Sequence, residues 1–320
     1  MKQVSAVSRI ARLADLPNPP DGCEGWPWTE ETPPLPETSS AGRNWPRFSV
    51  VTPSYNQGKF LEQTIRSVLL QGYPDLEYIV IDGGSTDESV AVIKKYEKHL
   101  AYWVSERDRG QSHAINKGFE RATGAILCWL NSDDYYLPGT LRVVAENLTG
   151  DTLAVVGHCV EVDADGRPSY HGIGRFESLE RLLQFWKGYQ MPQPSIFWRR
   201  EVFNEIGYLD ESQHLIMDFD YWARVAGRFQ FKNIDRDLSC VTRHADAKTA
   251  DNFKQYYEHL RIHSRRYWPS PFTLAHWRLR ASMFTHLYLK PPFGRVIYAL
   301  KHRSRRARKF LASRKAHPPL

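Results

Sequence analysis

From residue 48 onward the chain alternates between short unbroken apolar runs and longer stretches whose apolar positions recur at helical spacing. Phe48–Thr52, Leu76–Ile81, Tyr102–Ser105 and Ile126–Leu130 are the short runs. Each is too short to cross a membrane, and each ends in turn-forming or polar residues, so they read as buried strands. Between them, Lys59–Leu70 places Phe60, Ile65, Val68 and Leu69 on one side, Asp87–Leu100 follows the candidate caps Ser85 and Thr86, and Gln111–Ala122 forms a third helical stretch. Strands alternating with helices at this spacing predict right-handed βαβ units and a mainly parallel sheet flanked by helices, an α/β fold. In open sheets of this kind ligands bind beyond the carboxyl ends of the strands. Asn56, Asp82, Asp108 and Asp133 all fall just past such ends.

The second half is less regular. Leu153–Val162 reads as a strand running into the turn Asp163-Ala-Asp-Gly-Arg, Ser178–Phe185 and Asp218–Ala226 as helices, and Leu238–Thr242 as a strand. After Asp251 helices are expected over Phe253–Tyr267, Phe272–Tyr288 and roughly Val296–Ser313. Residues 1–45 are rich in Pro, Gly, Ser and acids and lack apolar periodicity, which predicts an extended arm lying on the body through Trp26 and Trp28. The expected organisation is an arm over 1–45, an α/β domain over 46–250 and a helical extension over 251–320.

Composition narrows the function classes. The 320 residues are 42% hydrophobic and 25% charged, as in a soluble globular protein. The four cysteines have no CxxC spacing, which gives no sign of a zinc or redox motif and suits a reducing compartment. No stretch of eighteen apolar residues exists, and Met1–Leu16 has no apolar core of a leader, so the expectation is a cytoplasmic protein without a membrane span. No GxGxxG follows the first strand, which disfavours a dehydrogenase. The net charge of +7 is unevenly spread: no Asp or Glu follows Glu258, whereas residues 259–320 hold fifteen Lys and Arg, so the preceding body is net acidic. Leu274, Trp277, Ala281, Phe284 and Tyr288 recur there at helical spacing among the cations. This pattern suits peripheral attachment to an anionic membrane surface, and equally a helical extension packed on the domain with a solvated basic face. Nucleic acid would feel the same charge, but nothing outside the tail supports it, and no nucleic-acid partner is expected.

The densest candidate chemistry lies at the end of the fourth run. Ile126-Leu-Cys-Trp-Leu passes abruptly into Asn131, Asp133 and Asp134. Clustered carboxylates repel and raise one another's pKa unless a cation lies between them, and Asn and Asp oxygens suit Mg²⁺ or Mn²⁺. The same acids could also simply open the helix that begins near Pro138.

Four pieces stand together: Val51-Thr-Pro-Ser-Tyr-Asn, Ile81-Asp-Gly-Gly-Ser-Thr-Asp, Asp108-Arg-Gly-Gln-Ser-His-Ala-Ile-Asn-Lys-Gly and Leu130-Asn-Ser-Asp-Asp. In order and spacing they resemble the nucleotide-sugar-dependent glycosyltransferases of family 2, over about residues 48–245. The resemblance implies a GT-A type, Rossmann-like sheet, with a nucleotide-binding half over 46–150 and an acceptor half over 151–250. It implies an inverting glycosyltransferase that uses Mn²⁺ or Mg²⁺ and a nucleotide-sugar donor, with a UDP-sugar favoured. The acceptor would be a glycan or lipid-linked hydroxyl, in cell-surface polysaccharide or glycolipid synthesis. By the same resemblance Thr52, Pro53 and Tyr55 lie beside the nucleoside, Asp82 accepts a hydrogen bond from the base, and Gly83 lets the backbone approach the ligand. Asp108 and Asn116 match polar positions of the nucleotide loop. Lys117 either supplies the charge that many relatives carry as Arg where this chain has Ile115, or is a solvent-facing lysine. Asn131, Ser132 and Asp133 take the place of the family's Asp-x-Asp signature. Asp133 is then the direct metal ligand, Asn131 a contact to ribose or bound water, and Asp134 an orienting neighbour. In Ile216-Met-Asp-Phe-Asp-Tyr-Trp, Asp218 matches the catalytic base. His244 matches an element that closes over metal or diphosphate. Asn131 and Met217 stand where the family usually has acids, and they motivate the alternative of a noncatalytic sugar-nucleotide or glycan-binding module on the same fold.

Overall fold

The computed structural model describes residues 10–39, 42–188, 191–244 and 253–285. The strands are β1 (Phe48–Ser54), β2 (Leu76–Asp82), β3 (Tyr102–Ser105), β4 (Ile126–Trp129), β5 (Tyr135–Tyr136), β6 (Ala154–Asp163), β7 (Pro168–Gly172), β8 (Ile196–Arg199) and β9 (Phe231–Arg243). The helices are α1 (Gly58–Leu69), α2 (Ser89–Tyr96), α3 (Gln111–Arg121), α4 (Thr140–Asn147), α5 (Leu179–Leu183), α6 (Arg200–Ile206), α7 (Met217–Ala226), α8 (Phe253–Ser264) and α9 (Leu274–Phe284).

Among the described residues the strands form one nine-stranded sheet in the order β3-β2-β1-β4-β8-β6-β9-β5, with β7 beside β6. The strands β3, β2, β1, β4, β6 and β9 run in one direction, and β5, β7 and β8 oppose them. The mainly parallel α/β sheet expected from the pattern is therefore present. Every residue of β1 is buried, as the unbroken apolar run requires of a strand covered on both faces. Helix α3 packs against β1 and β2, and α1 packs against α2 and β5.

The antiparallel insertions are what the pattern did not predict. β8 enters between β4 and β6. β9 is far longer than the expected Leu238–Thr242, because its first half is polar and largely exposed, and its pairing with β6 shifts register on both sides of His158. Bulged, polar strands lose the alternation that marks a strand in sequence. An aromatic cluster fixes α7 to β4: Trp222 stacks on Trp129 with ring centroids 5.1 Å apart, and Trp198 lies 5.2 Å from Trp222. Trp198 is fully buried in the core.

The proline-rich segment is held by one buried cation. The Arg66 guanidinium donates to the carbonyls of Pro17 (2.8 Å), Pro27 (3.0 Å) and Trp28 (2.8 Å) and to the Tyr96 hydroxyl (3.0 Å). Trp26 Nε1 donates to the Tyr136 carbonyl at 2.7 Å.

The chain clusters into two units. The larger holds the sheet and runs to His263, and the smaller comprises Gln184–Tyr189 and the chain from Ser264. Within the smaller unit, Trp186 Nε1 donates to Ser282 Oγ at 3.2 Å and Thr273 caps α9. Phe272, Leu274, Trp277 and Phe284 are exposed there. The expected helix Val296–Ser313 lies outside the described residues. No helix among the described residues is long and apolar enough to cross a membrane.

Candidate active site

The ends of β1 and β2 build one wall. Thr52 is buried with its hydroxyl 3.0 Å from that of Tyr78, and Pro53 pairs with Ile81. Just beyond, Tyr55 is 61% exposed. A Cβ placed on Gly83 would lie 2.6 Å from Asp108 Oδ2 and 3.3 Å from the Tyr55 ring, so Tyr55, Gly83 and Asp108 meet although they are far apart in sequence. Only glycine leaves room for that approach. Asp82 is fully buried, and its carboxylate accepts from the Gly84 and Ser85 amides and from the Ser85 and Ser105 hydroxyls at 2.5–3.1 Å. The residue expected to meet the base is thus also the hub that shapes the loop around it.

The same loop ties two helix starts together. Asp87 accepts from the Gly58 amide at 2.9 Å and from the Ser89 amide at 3.0 Å, at the first turns of α1 and α2. Partial burial would raise the Asp87 carboxyl, but the hydrogen bonds from Ser89 and Gly58 outweigh it and hold the pKa below its usual value. Asp87→Ala is expected to cost about 2 kcal/mol of stability, because it removes the charged acceptor of two backbone amides. The sign with pH follows from the lowered pKa. The stabilisation is complete above the unfolded-state pKa of about 3.9 and is lost as pH falls through the folded value. Denaturant melts of both proteins at pH 7 and in acid should therefore differ at pH 7 and converge in acid.

The N-terminus of α3 forms the floor. Asp108 Oδ1 accepts from the Gly110 amide at 2.7 Å, and Gly110 has φ 115°. Gln111 Nε2 donates to Asn131 Oδ1 at 2.9 Å, and Ser112 Oγ donates to Met217 Sδ at 3.0 Å. Two expected nucleotide residues are engaged elsewhere. The buried Asn116 side chain exchanges hydrogen bonds of 3.0 Å with both backbone groups of Leu209. Lys117 forms an ion pair with Glu106.

Next to the N-terminus of α3, through Gln111, lies the acidic turn. Ser132 and Asp134 are buried, while Asn131 and Asp133 are half-buried. Because β5 pairs antiparallel with β9, the end of β9 reaches this turn. The Thr242 amide donates to Asp134 Oδ1 at 3.2 Å, and His244 Nε2 stands 3.1 Å from Asp133 Oδ2. Burial, and next the neighbouring Asp133 charge, push the Asp134 carboxyl well above the usual carboxylate range. The His244 side chain is only 4% exposed, and its Nδ1 is buried without a partner. A carboxylate beside an imidazole is a donor set that suits a divalent ion. Among the described residues no group of three His, Cys, Asp or Glu side chains is arranged to hold one. Asp133 and His244 would supply two ligands to such an ion, fewer than a closed protein cage provides.

Asp218 stands in the first turn of α7, where its Oδ1 accepts from the Phe219 amide at 2.8 Å. A helix N-terminus favours the ionised carboxylate. Its neighbour Met217 is the residue on Ser112 of α3, so a contact chain runs Asn131–Gln111–Ser112–Met217–Asp218. The structure thus brings Tyr55, Gly83, Asp108, Asn131, Asp133 and His244 to the sheet's carboxyl ends, with the start of α7 joined to them. Two further residues reach the site without a signal in the sequence: Gln111, on Asn131, and Phe60, whose ring centroid lies 4.4 Å from that of His244. Gln111 is a polar residue at a helix start, with nothing local to single it out.

Comparison with known proteins places these features in a family. The model of glycosyl transferase family 2 matches residues 49–207. An uncharacterized glycosyltransferase of Mycobacterium tuberculosis is 33% identical over 186 residues, covering 57% of this chain and 69% of that protein. One of Nostoc is 31% identical over 174 residues, covering 51% of this chain, which spans about half of that protein's length (54%). Among solved structures, the mannosyltransferase PcManGT from Pyrobaculum calidifontis, in complex with GDP-Man and Mn²⁺, matches with a TM-score of 0.56 at 19% identity, over 85% of this chain and 80% of that one. Staphylococcus aureus TarS 1-349 in complex with UDP matches with a TM-score of 0.55 at 18% identity, over 78% and 73%. These structural likenesses show the GT-A fold. With the sequence relatives and the family match, they identify the chain as a member of glycosyl transferase family 2.

Proposed function

We propose that this chain is an inverting glycosyltransferase that moves a sugar from a nucleoside diphosphate, with UDP favoured, to a hydroxyl of a glycan or lipid-linked acceptor in cell-surface polysaccharide or glycolipid synthesis. The observation that carries the reading is the contact chain from Asn131 through Gln111, Ser112 and Met217 to Asp218. It links the acidic turn to a carboxylate on a separate helix, which is the arrangement needed to hold a donor on one side and activate an acceptor on the other. UDP in one structural neighbour and GDP-Man with Mn²⁺ in another support the donor class and the choice of ion.

In this reading Tyr55 flanks the nucleoside, and the backbone at Gly83 and the carboxylate of Asp108 line its path. Asp133 and His244 would hold Mn²⁺ or Mg²⁺, which supplies charge neutralisation at the departing diphosphate. Asp218 removes the proton from the acceptor hydroxyl, whose oxygen attacks the anomeric carbon from the face opposite the leaving group. Configuration at that carbon inverts because bond formation and bond breaking lie on opposite faces. A thermal-shift screen against UDP-, GDP- and dTDP-sugars with and without Mn²⁺ tests the reading, since a ligand of the native state raises apparent stability. One nucleotide series should raise the melting temperature, more so with Mn²⁺. No response to any member of the panel would reject the donor assignment.

The smaller unit supports a membrane-facing role in the same reading. Phe272, Leu274, Trp277 and Phe284 are exposed, with Arg280 over the Trp277 ring at 5.1 Å, in a tail without acids. Exposed aromatics among cations suit the interface of an anionic bilayer. The chain should sediment with phosphatidylserine-containing vesicles and not with neutral ones, and Trp277→Ser should weaken the association. Equal partition to both vesicle types would argue against it.

A further inference from the structure

Helix α1 carries a stripe that the mechanism above does not use. Phe60, Thr64, Ser67 and Gln71 follow one another at intervals of four, three and four, which aligns them along one face of a helix and its first residues beyond. The stripe lies along the segment that holds the acidic turn. Thr64 Oγ1 reaches the Ser132 carbonyl at 2.9 Å and the Asp134 carbonyl at 2.7 Å, the two carbonyls that bracket Asp133. Ser67 Oγ accepts from the Tyr136 amide at 3.1 Å, and Gln71 Nε2 donates to the Leu137 carbonyl at 3.0 Å. Thr64, Ser67 and Gln71 are all buried. At the head of the stripe the Phe60 ring lies against His244, with centroids 4.4 Å apart.

We propose that Thr64 and Phe60 are positioning residues for the Asp133–His244 pair: one helix grips the backbone on both sides of the carboxylate and supports the imidazole that faces it. The inference rests on the assignment of Asp133 and His244 as the ion-holding pair. Its physical basis is that a helical threonine hydroxyl ordinarily turns back to its own helix. Here it is spent on two carbonyls of another segment, and the residue is buried. Valine, of similar shape, would leave both carbonyls unpaired and free the turn to shift. Residues that orient a metal ligand from behind are worth about 10- to 100-fold in metal affinity.

The test is titration of Mn²⁺ into the full chain with UDP or GDP present, followed by calorimetry or thermal shift. Thr64→Val should raise the half-saturating Mn²⁺ about 10- to 100-fold, Thr64→Ser, which keeps the hydroxyl, should restore it, and Phe60→Leu should shift it in the same direction as valine. A purely structural role would lower the melting temperature of Thr64→Val without moving the Mn²⁺ midpoint, and that result overturns the proposal. Should Thr64→Val fail to fold, an unchanged midpoint in Phe60→Leu overturns it instead. Asp133→Ala separates the two levels. If this variant still titrates like the parent chain, the ion assignment itself fails; if it loses the titration while Thr64→Val keeps the parent midpoint, only the positioning role fails.

Discussion

Replacing Asp218 with Asn should lower turnover by about 10²–10⁴ while leaving nucleotide-sugar binding close to that of the parent chain. General-base catalysis contributes about that factor, so its loss sets the size of the effect. The substitution is otherwise mild. Asn retains the oxygen that accepts from the Phe219 amide at 2.8 Å, and α7 stays anchored through the stack of Trp222 on Trp129. The loss should appear in kcat more than in KM for the donor, because the carboxylate acts on the acceptor proton in the transition state. Unchanged turnover in steady-state assays would remove Asp218 as the base.

Asp133→Ala should abolish the stimulation of UDP or GDP binding by Mn²⁺. The carboxylate supplies the charged oxygen of the pair, and the remaining imidazole of His244 alone is a poor ligand for a hard cation. Weak metal-independent binding should survive, since Tyr55, Gly83 and Asp108 lie on the other wall. Calorimetric titrations of nucleotide with and without Mn²⁺ would show the two curves merging in the variant. A persistent gap between them would place the ion elsewhere.

The first half of the fold was legible because β1 and β4 are buried along their whole length and the helices between the strands show an apolar side. The pattern at Phe48–Thr52 and Ile126–Leu130 leaves little else for those residues to do. The antiparallel strands were not legible in the same way. β5 has two residues and owes its existence to β9, and the first half of β9 reads as a polar loop. The site was legible as a set of residue types at strand ends, but not as a set of partners. Asn116 looks like a nucleotide contact in sequence, and its amide instead clasps Leu209, 93 positions away. Lys117 reads as either a ligand or a solvated lysine, and it is paired with Glu106. Met217 stands where an acid is usual, and its thioether receives the Ser112 hydroxyl that links α3 to α7. The polar stripe of α1 was hidden because Thr64 and Ser67 look like the outer face of an amphipathic helix, whereas both are buried against the acidic turn.

The most direct measurement is a crystal structure of the full chain with UDP or GDP and Mn²⁺, with the ion located by its anomalous scattering. The expected result is a manganese peak bound by Asp133 and beside His244, with the diphosphate reaching it from the wall of Tyr55 and Gly83 and with Asp218 facing the open side. A nucleotide bound away from the ends of β1 and β2, or a manganese peak without Asp133 among its ligands, would contradict it.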